Sequence, residues 1–321
     1  MSHVRHHQPW LVPELAAILA AAPATVPLTH ASLAATRKRV HAHMSALAPP
    51  REVYSLIDRS IPGPAGPIPM RVYRPRPAPC LPILVYAHGG GWVMGDLDTH
   101  DALCREISLR ADVVVAAVDY RLAPEHPYPV PLEDFYAAAQ WVIGNATQLG
   151  ADPGRVAVGG DSAGGNLAAA ACLLARDRGE PQFAAQWLSY PALDGASERR
   201  SWETYADGPM LTVDNARTMW RMYAGHADLR DPYLSPLHAD SLAGLPPALV
   251  ATPQHDHGHD DAAAFAQRLQ DSGVPVEFAS FEGLCHGFLS LFAQVPAAMD
   301  ALDMGCDHLR SALGASGPTG Q

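Results

Sequence analysis

The chain has 321 residues, 48% of them hydrophobic and 17% charged, with a formal net charge of -11 at pH 7. Those proportions describe a globular chain able to bury a large core and exclude a disordered one. The acidic balance and the lack of a basic stripe argue against a nucleic-acid partner, and no apolar run approaches the roughly 18 residues that span a bilayer.

His3, Arg5, His6 and His7 open the chain, and no signal-peptide core follows them directly. The nearest apolar stretch, residues 15–22, is short and lies between Pro13 and Pro23. Cys80, Cys104, Cys172, Cys285 and Cys306 are odd in number, scattered and form no CxxC pair, so free thiols in a reducing compartment are expected. A cytoplasmic protein is expected on these grounds.

Residues 1–50 read as Ala-rich helices broken at Pro13, Pro23 and Pro27. The period then changes to two: Ile68, Met70 and Val72 alternate with Pro69, Arg71 and Tyr73, the pattern of a half-buried strand. From there strand, loop and helix repeat. Strands are predicted over 83–87, 113–119, 155–159, 186–190, 248–251 and 276–281, short and apolar as interior parallel strands should be. Helices are predicted over 100–110, 132–143, 163–178, 260–270 and 297–313, with Gly179 and Pro181 closing the third. The alternation predicts an α/β fold, a mainly parallel sheet covered by helices on both faces.

Residues 194–242 break this rhythm. They hold no strand pattern, are rich in Trp, Tyr, Met and Asp, and carry one helix near 213–223. With the N-terminal helices they are expected to form a cap over the carboxyl edge of the sheet, where ligands bind in open α/β folds. The expected division is therefore cap helices over 1–50, core over 51–193 and 243–313, a cap insertion over 194–242 and a frayed tail over 314–321.

Gly160-Asp161-Ser162-Ala163-Gly164 matches G-x-S-x-G, with the apolar strand Val156, Ala157, Val158 before it and an Ala/Leu helix after it. A bare G-x-S-x-G also occurs by chance in Gly-Ser loops; the strand–turn–helix context is what separates this one. A turn that sharp holds Ser162 in a strained conformation with its hydroxyl projecting, and Gly160 and Gly164 avoid clashes where strand and helix nearly touch. Ala163 is small enough for its N–H to face a reacting carbonyl oxygen, at the positive end of the helix dipole.

His88-Gly89-Gly90-Gly91-Trp92 follows the strand over 83–87. Three successive glycines cost conformational entropy, so bare backbone must be needed there. Donors aimed at a developing oxyanion are such a need. A phosphate loop would carry a Lys-Ser/Thr ending or dinucleotide spacing, and neither is present. Trp92 is expected near the site or in ordinary core.

Of sixteen histidines, His286 stands out by position. It follows the strand over 276–281, at the carboxyl edge and late in the chain, as in the order serine, acid, histidine. Its imidazole can take the serine proton and return it to a leaving alcohol. An acid is expected after the strand over 248–251, where Asp256, Asp260 and Asp261 compete. His255, His257 and His259 in the same segment suggest metal ligands, but they lack the His-Glu-x-x-His helix spacing, and alternate residues point apart. No metal and no cofactor are expected.

Taken together, His88-Gly89-Gly90-Gly91-Trp92, Tyr120-Arg121-Leu122-Ala123-Pro124-Glu125-His126, Gly159-Gly160-Asp161-Ser162-Ala163-Gly164-Gly165-Asn166 and His286-Gly287-Phe288 resemble the hormone-sensitive-lipase family of bacterial esterases, in its GDSAG branch. The resemblance implies an eight-stranded α/β-hydrolase sheet with a helical cap, no metal, activity on short-chain esters, and oxyanion donors at Gly90, Gly91 and Ala163. The family pattern at the acid is Asp-Pro-Leu-x-Asp-Glu-Gly, whereas this chain has Asp256-His257-Gly258-His259-Asp260-Asp261-Ala262. The leading Asp falls on Asp256, which directly follows the strand end, while Asp260 and Asp261 fall at the next helix start, where either suits the dipole and Asp260 can cap. The expected triad is Ser162, His286 and Asp256. Its substrate is a small ester; a lactone or amide would use the same machinery, a dead scaffold that only binds would lack part of the triad, and a homodimer is left open.

Overall fold

The structure is a computed structural model and describes residues 10–22 and 26–314. The sequence features at His3, Arg5, His6, His7 and Pro23 lie outside the described residues, as do residues 315–321 of the tail expected over 314–321, whose first residue, Gly314, caps the last helix.

Eight strands form one sheet: β1 (Ser55–Gly63), β2 (Gly66–Arg74), β3 (Leu81–Ala87), β4 (Val114–Val118), β5 (Ala151–Asp161), β6 (Ala185–Ser189), β7 (Ala248–His255) and β8 (Val276–Cys285), in the order β1-β2-β4-β3-β5-β6-β7-β8. β2 runs antiparallel to β1 and β4; every other pairing is parallel. All residues of β3, β4 and β6 are buried, which is why β3 and β4 read as unbroken apolar runs, while β6 buries Gln186 and Ser189 among its apolar residues. Along β3, Ile83, Val85 and Ala87 enter one core and Leu84 and Tyr86 the other, the period-two consequence of having helices on both sides.

The helices are α1 (Pro13–Ala21), α2 (His30–Met44), α3 (Asp101–Ala111), α4 (Val130–Asn145), α5 (Ala163–Arg178), α6 (Arg200–Thr204), α7 (Val213–Ala224), α8 (His259–Asp271) and α9 (Pro296–Leu313). Leu132 and Phe135 of α4, Leu167 and Leu173 of α5 and Phe265 of α8 fill the first core; Leu103 and Ile107 of α3 and Leu302 and Leu309 of α9 fill the second. α5 is buried without a break from Ala163 to Ala175. A helix covered all round cannot be amphipathic, and its Ala/Gly composition lets the sheet and α4 approach it closely.

Three details differ from the sequence reading. Pro13 starts α1 rather than breaking a helix, because a proline in the first turn has no N–H to lose. β1 was not foreseen: Leu56 and Ile57 are adjacent and both exposed, so no alternation marks this edge strand. Residues 194–242 hold the short α6 as well as α7, and no strand among the described residues. No helix of the described residues is long and apolar enough to cross a membrane.

Candidate active site

The carboxyl ends of β3, β5, β7 and β8 bring the candidate residues to one sheet edge. Between β5 and α5 stands a single residue, Ser162, with φ 54° and ψ -116°. That is a strained conformation for a non-glycine residue, worth about 1–3 kcal/mol. Its surroundings hold it there: its N–H donates to Ser189 O at 2.8 Å, and a Cβ at Gly160 or Gly164 would overlap the Ala87 carbonyl oxygen. The two glycines therefore let β5, α5 and the end of β3 meet.

Ser162 Oγ lies 2.9 Å from His286 Nε2, and His286 Nδ1 lies 2.7 Å from Asp256 Oδ2. His286 directly follows β8, and Gly287 beside it turns the chain with φ 80°. Asp256 directly follows β7 and is buried, its Oδ1 accepting the Gly258 N–H at 2.9 Å. Burial works against its charge, but the fields of His286 and His257 and the bonds from His286 and Gly258 outweigh it and hold the carboxyl at about 2.

The glycine loop after β3 is fixed through Asp161. Its buried Oδ1 accepts the Gly89 N–H at 2.9 Å and the Tyr86 hydroxyl at 2.8 Å, with His100 Nε2 at 3.3 Å. Burial again opposes the charge, and the field of His100 with the bonds from His100 and Tyr86 keeps the carboxyl below its ordinary range. Gly90 (φ 120°) and Gly91 (φ 61°) take conformations that side chains rarely adopt, and a Cβ on them would strike Met94 O and Met219 Sδ. The N–H groups of Gly90, Gly91 and Ala163 donate to no acceptor among the described residues. His88 is buried against Tyr120, its ring 4.3 Å away, and burial with the His100 field pushes it down to about 4. The Tyr120 hydroxyl donates to His88 O at 2.7 Å. Trp92 is at once core and cleft wall, stacked on Tyr223 at 4.3 Å.

Arg37 of α2 escaped the sequence reading. Its Nε donates to Val93 O at 2.6 Å, one Nη to Ala123 O at 2.8 Å, and both Nη to the Glu125 carboxylate at 2.7 Å. Val93 and Met94 N–H both donate to Gly90 O, so this guanidinium grips the far side of the glycine turn. Leu28 N–H donates to Asn215 Oδ1 of α7 at 2.8 Å, tying the start of α2 to the 194–242 segment.

The three alternating histidines diverge. His255 stacks on Trp10 at 3.8 Å, His257 is buried between Trp202 and His286, and His259 lies against Phe278 and Ser280. Burial pushes His257 down to about 4. Gly258, not Asp260, is the N-cap of α8; Asp260 accepts the Ser201 N–H at 3.0 Å instead. Asp261 is buried under the Ser197 hydroxyl and Trp202 Nε1–H, and burial pushes its carboxyl up to about 7. Among the described residues, Asp256, His257 and His286 are the one group of three whose possible metal-ligand atoms converge.

A cleft opens over Ser162 and His286, walled by Trp92, Trp202, Trp220 and Leu211. Its walls are largely apolar, with Ser162, His257, Asp261 and His286 as its few polar groups, the composition of a small-molecule site.

The description alpha/beta hydrolase fold matches residues 84–290. The chain is 46% identical over 267 residues to the carboxylic ester hydrolase LipN of Mycobacterium tuberculosis, covering 81% of this chain and 71% of that protein. It is 37% identical over 251 residues to the ethyl acetate hydrolase of Pseudomonas putida, covering 77% and 79%. Among solved structures, the ester-hydrolase EH1AB1 from the metagenome of Lake Arreo superimposes with a TM-score of 0.89 at 38% identity, over 95% of this chain and 99% of that one.

Proposed function

Because the chain belongs to the hormone-sensitive-lipase-like family of alpha/beta hydrolases and is a carboxylic ester hydrolase, we propose that it cleaves short-chain acyl esters through a serine acyl-enzyme. The observation that carries this reading is the hydrogen-bonded chain Ser162 Oγ, His286 Nε2, His286 Nδ1, Asp256 Oδ2, with steps of 2.9 and 2.7 Å.

In this mechanism Ser162 Oγ attacks the ester carbonyl carbon while its proton passes to His286 Nε2. The carbonyl oxygen becomes an oxyanion and accepts from the N–H groups of Gly90, Gly91 and Ala163. His286 gives the proton to the departing alkoxide, leaving the acyl group on Ser162. Water repeats the sequence: His286 takes its proton, and the acid leaves as Oγ recovers one. Asp256 keeps the His286 proton on Nδ1 and stabilises the transient imidazolium.

The walls of the cleft support a short acyl group: apolar burial favours added methylenes only until the space is filled, so efficiency should peak within about C2 to C8. The relative named for ethyl acetate is consistent with that range. The cap reading of residues 1–50 and 194–242 is supported by the Leu28–Asn215 bond and by Trp202, Leu211 and Trp220 in the cleft wall.

The test is covalent. An organophosphate should add to Ser162 alone and abolish turnover, with intact mass and peptide analysis locating the adduct. Labelling elsewhere, or full activity in Ser162→Ala, overturns the assignment; a steady rise in rate to C16 on emulsified substrate overturns the short-chain preference.

A further inference from the structure

The departure from the family pattern in the acid loop places an additional imidazole beside the reacting groups. His257 follows Asp256 where the pattern has Pro. Its ring packs edge-on to Trp202, with centroids 4.6 Å apart, and lies over His286 at 5.5 Å with a 28° interplanar angle. His257 Nδ1 stands 3.2 Å from Asp256 Oδ1, while the other carboxylate oxygen meets His286 Nδ1 at 2.7 Å. One ligand atom from each of Asp256, His257 and His286 lies within 4.8 Å of the others.

Two imidazoles and a carboxylate are a donor set suited to a zinc-type ion. A tetrahedral ion with bonds of about 2.0–2.1 Å holds its ligand atoms about 3.3 Å apart, so side-chain shifts of about an ångström bring this set to bonding distance. Both imidazoles line the cleft, which gives an ion a route from solvent and leaves the fourth position to water. His259 lies against Phe278 and Ser280, and His255, stacked on Trp10 beside the set, is not among the three residues whose ligand atoms converge.

We propose that Asp256, His257 and His286 form a transition-metal site, and that a zinc-type ion bound there silences the esterase. This rests on the reading of His286 as the base. The working ring carries its one proton on Nδ1 and offers the Nε2 lone pair to Ser162. An ion coordinated through Nδ1 takes the lone pair at that atom, so the neutral ring must carry its proton on Nε2. Three metal–ligand bonds form, water leaves the ion, and the ring keeps one proton in the wrong place. His286 then faces Ser162 as a donor and cannot accept its proton. Without His257 only two protein ligands remain, too few to hold the ion at comparable concentration.

The experiment titrates zinc chloride into the metal-free full chain during hydrolysis of a chromogenic acetate ester, each variant scaled to its own metal-free rate. The variants are His257→Leu, His257→Gln and the double variant His255→Gln/His259→Gln, with melting temperatures checking their folds. Wild type and the double variant should lose turnover over the same zinc range, and both His257 variants should need at least tenfold more. Cobalt(II) uptake by equilibrium dialysis should show about one more equivalent in wild type than in His257→Leu, a count independent of turnover. Equal zinc sensitivity and equal cobalt uptake overturn the site; an additional equivalent that leaves turnover unchanged overturns the silencing. If the metal-free wild type hydrolyses no ester, the proposed function has failed, and the cobalt count alone decides the site.

Discussion

The loops that follow β3 and β7 reach the same edge of the sheet and are built from opposite materials. After β3, the proposed oxyanion loop presents bare backbone, and the side chains that hold it come from elsewhere: Asp161 from β5 on one side, Arg37 from α2 on the other. After β7, the acid loop presents side chains, and its backbone is unremarkable in conformation. Asp256, His257 and Asp261 are buried there among Trp202, His286 and Ser197. The first loop leaves no room for a Cβ at Gly89, Gly90 or Gly91. The second tolerates altered neighbours, and its His257 and Gly258 replace the family's Pro and Leu while Asp256 still meets His286.

Substitutions that respect this contrast should separate the loops. The largest effect is expected at the side-chain loop: Asp256→Asn should lower kcat by about 10⁴-fold with the melting temperature little changed, since the amide favours the wrong His286 tautomer. Circular dichroism melts and ester kinetics in one buffer would check it, and an active Asp256→Asn would break the contrast at its strongest point. The backbone loop should respond next, to nothing more than a methyl group. Gly90→Ala puts a Cβ on Met94 O at φ 120°, and losing one oriented donor should cost about 10²–10³-fold in kcat. If Gly90→Ala is fully active, the loop is not read through its backbone.

A smaller effect tests the remote grip. Arg37→Met should lower kcat about tenfold with KM unchanged, less than the roughly 10²-fold that a 1 Å misplacement at the reacting centre can cause. Arg37→Lys should recover part of it through one retained contact; a change in KM alone would make Arg37 a wall of the cleft rather than a support of the turn. The smallest effect is one of stability. The Asp261 carboxyl is raised to about 7 in the folded chain from an ordinary 3.8, so the stability it contributes is present below about pH 4 and lost as pH rises through 7. The melting temperature of wild type should therefore fall relative to Asp261→Asn across that window. A parallel pair of curves would mean the carboxylate is already ionised among Ser197, Trp202 and Arg199.

Legibility in the sequence followed the same divide between local and distant causes. β3 and β4 could be read because burial on both faces forces continuous apolar runs, and α5 because a helix covered all round is apolar all round. β7 and β8 run on to His255 and Cys285, past the residues that looked like strand, because pairing continues after the apolar pattern stops. Ser162, the glycine loop and His286 announce themselves through local spacing, and the structure sets Ser162, His286 and Asp256 within hydrogen-bond reach of one another. Arg37 gave no such signal. Its partners Val93, Ala123 and Glu125 lie 56 to 88 residues away, and on α2 it is one basic residue among Lys38 and Arg39. His257 was visible only as a broken motif; that it lies between Trp202 and His286 depends on a ring from α6 that no local pattern ties to it.

The grip of α2 on the glycine turn and on α7 also bears on how the protein is made. The ribosome releases Arg37 long before Asn215 exists, and His286 emerges later still. The parts that meet there are thus drawn from residues as far apart as 28 and 286, in an order unrelated to their final contacts. A chain halted after α5 carries Ser162, the glycine loop and Arg37, yet lacks Ser189, whose carbonyl accepts the Ser162 N–H, and both His286 and Asp256. Hydrolysis of esters should therefore await the synthesis of His286, and chains that stop short of it should be harmless to the esters around them.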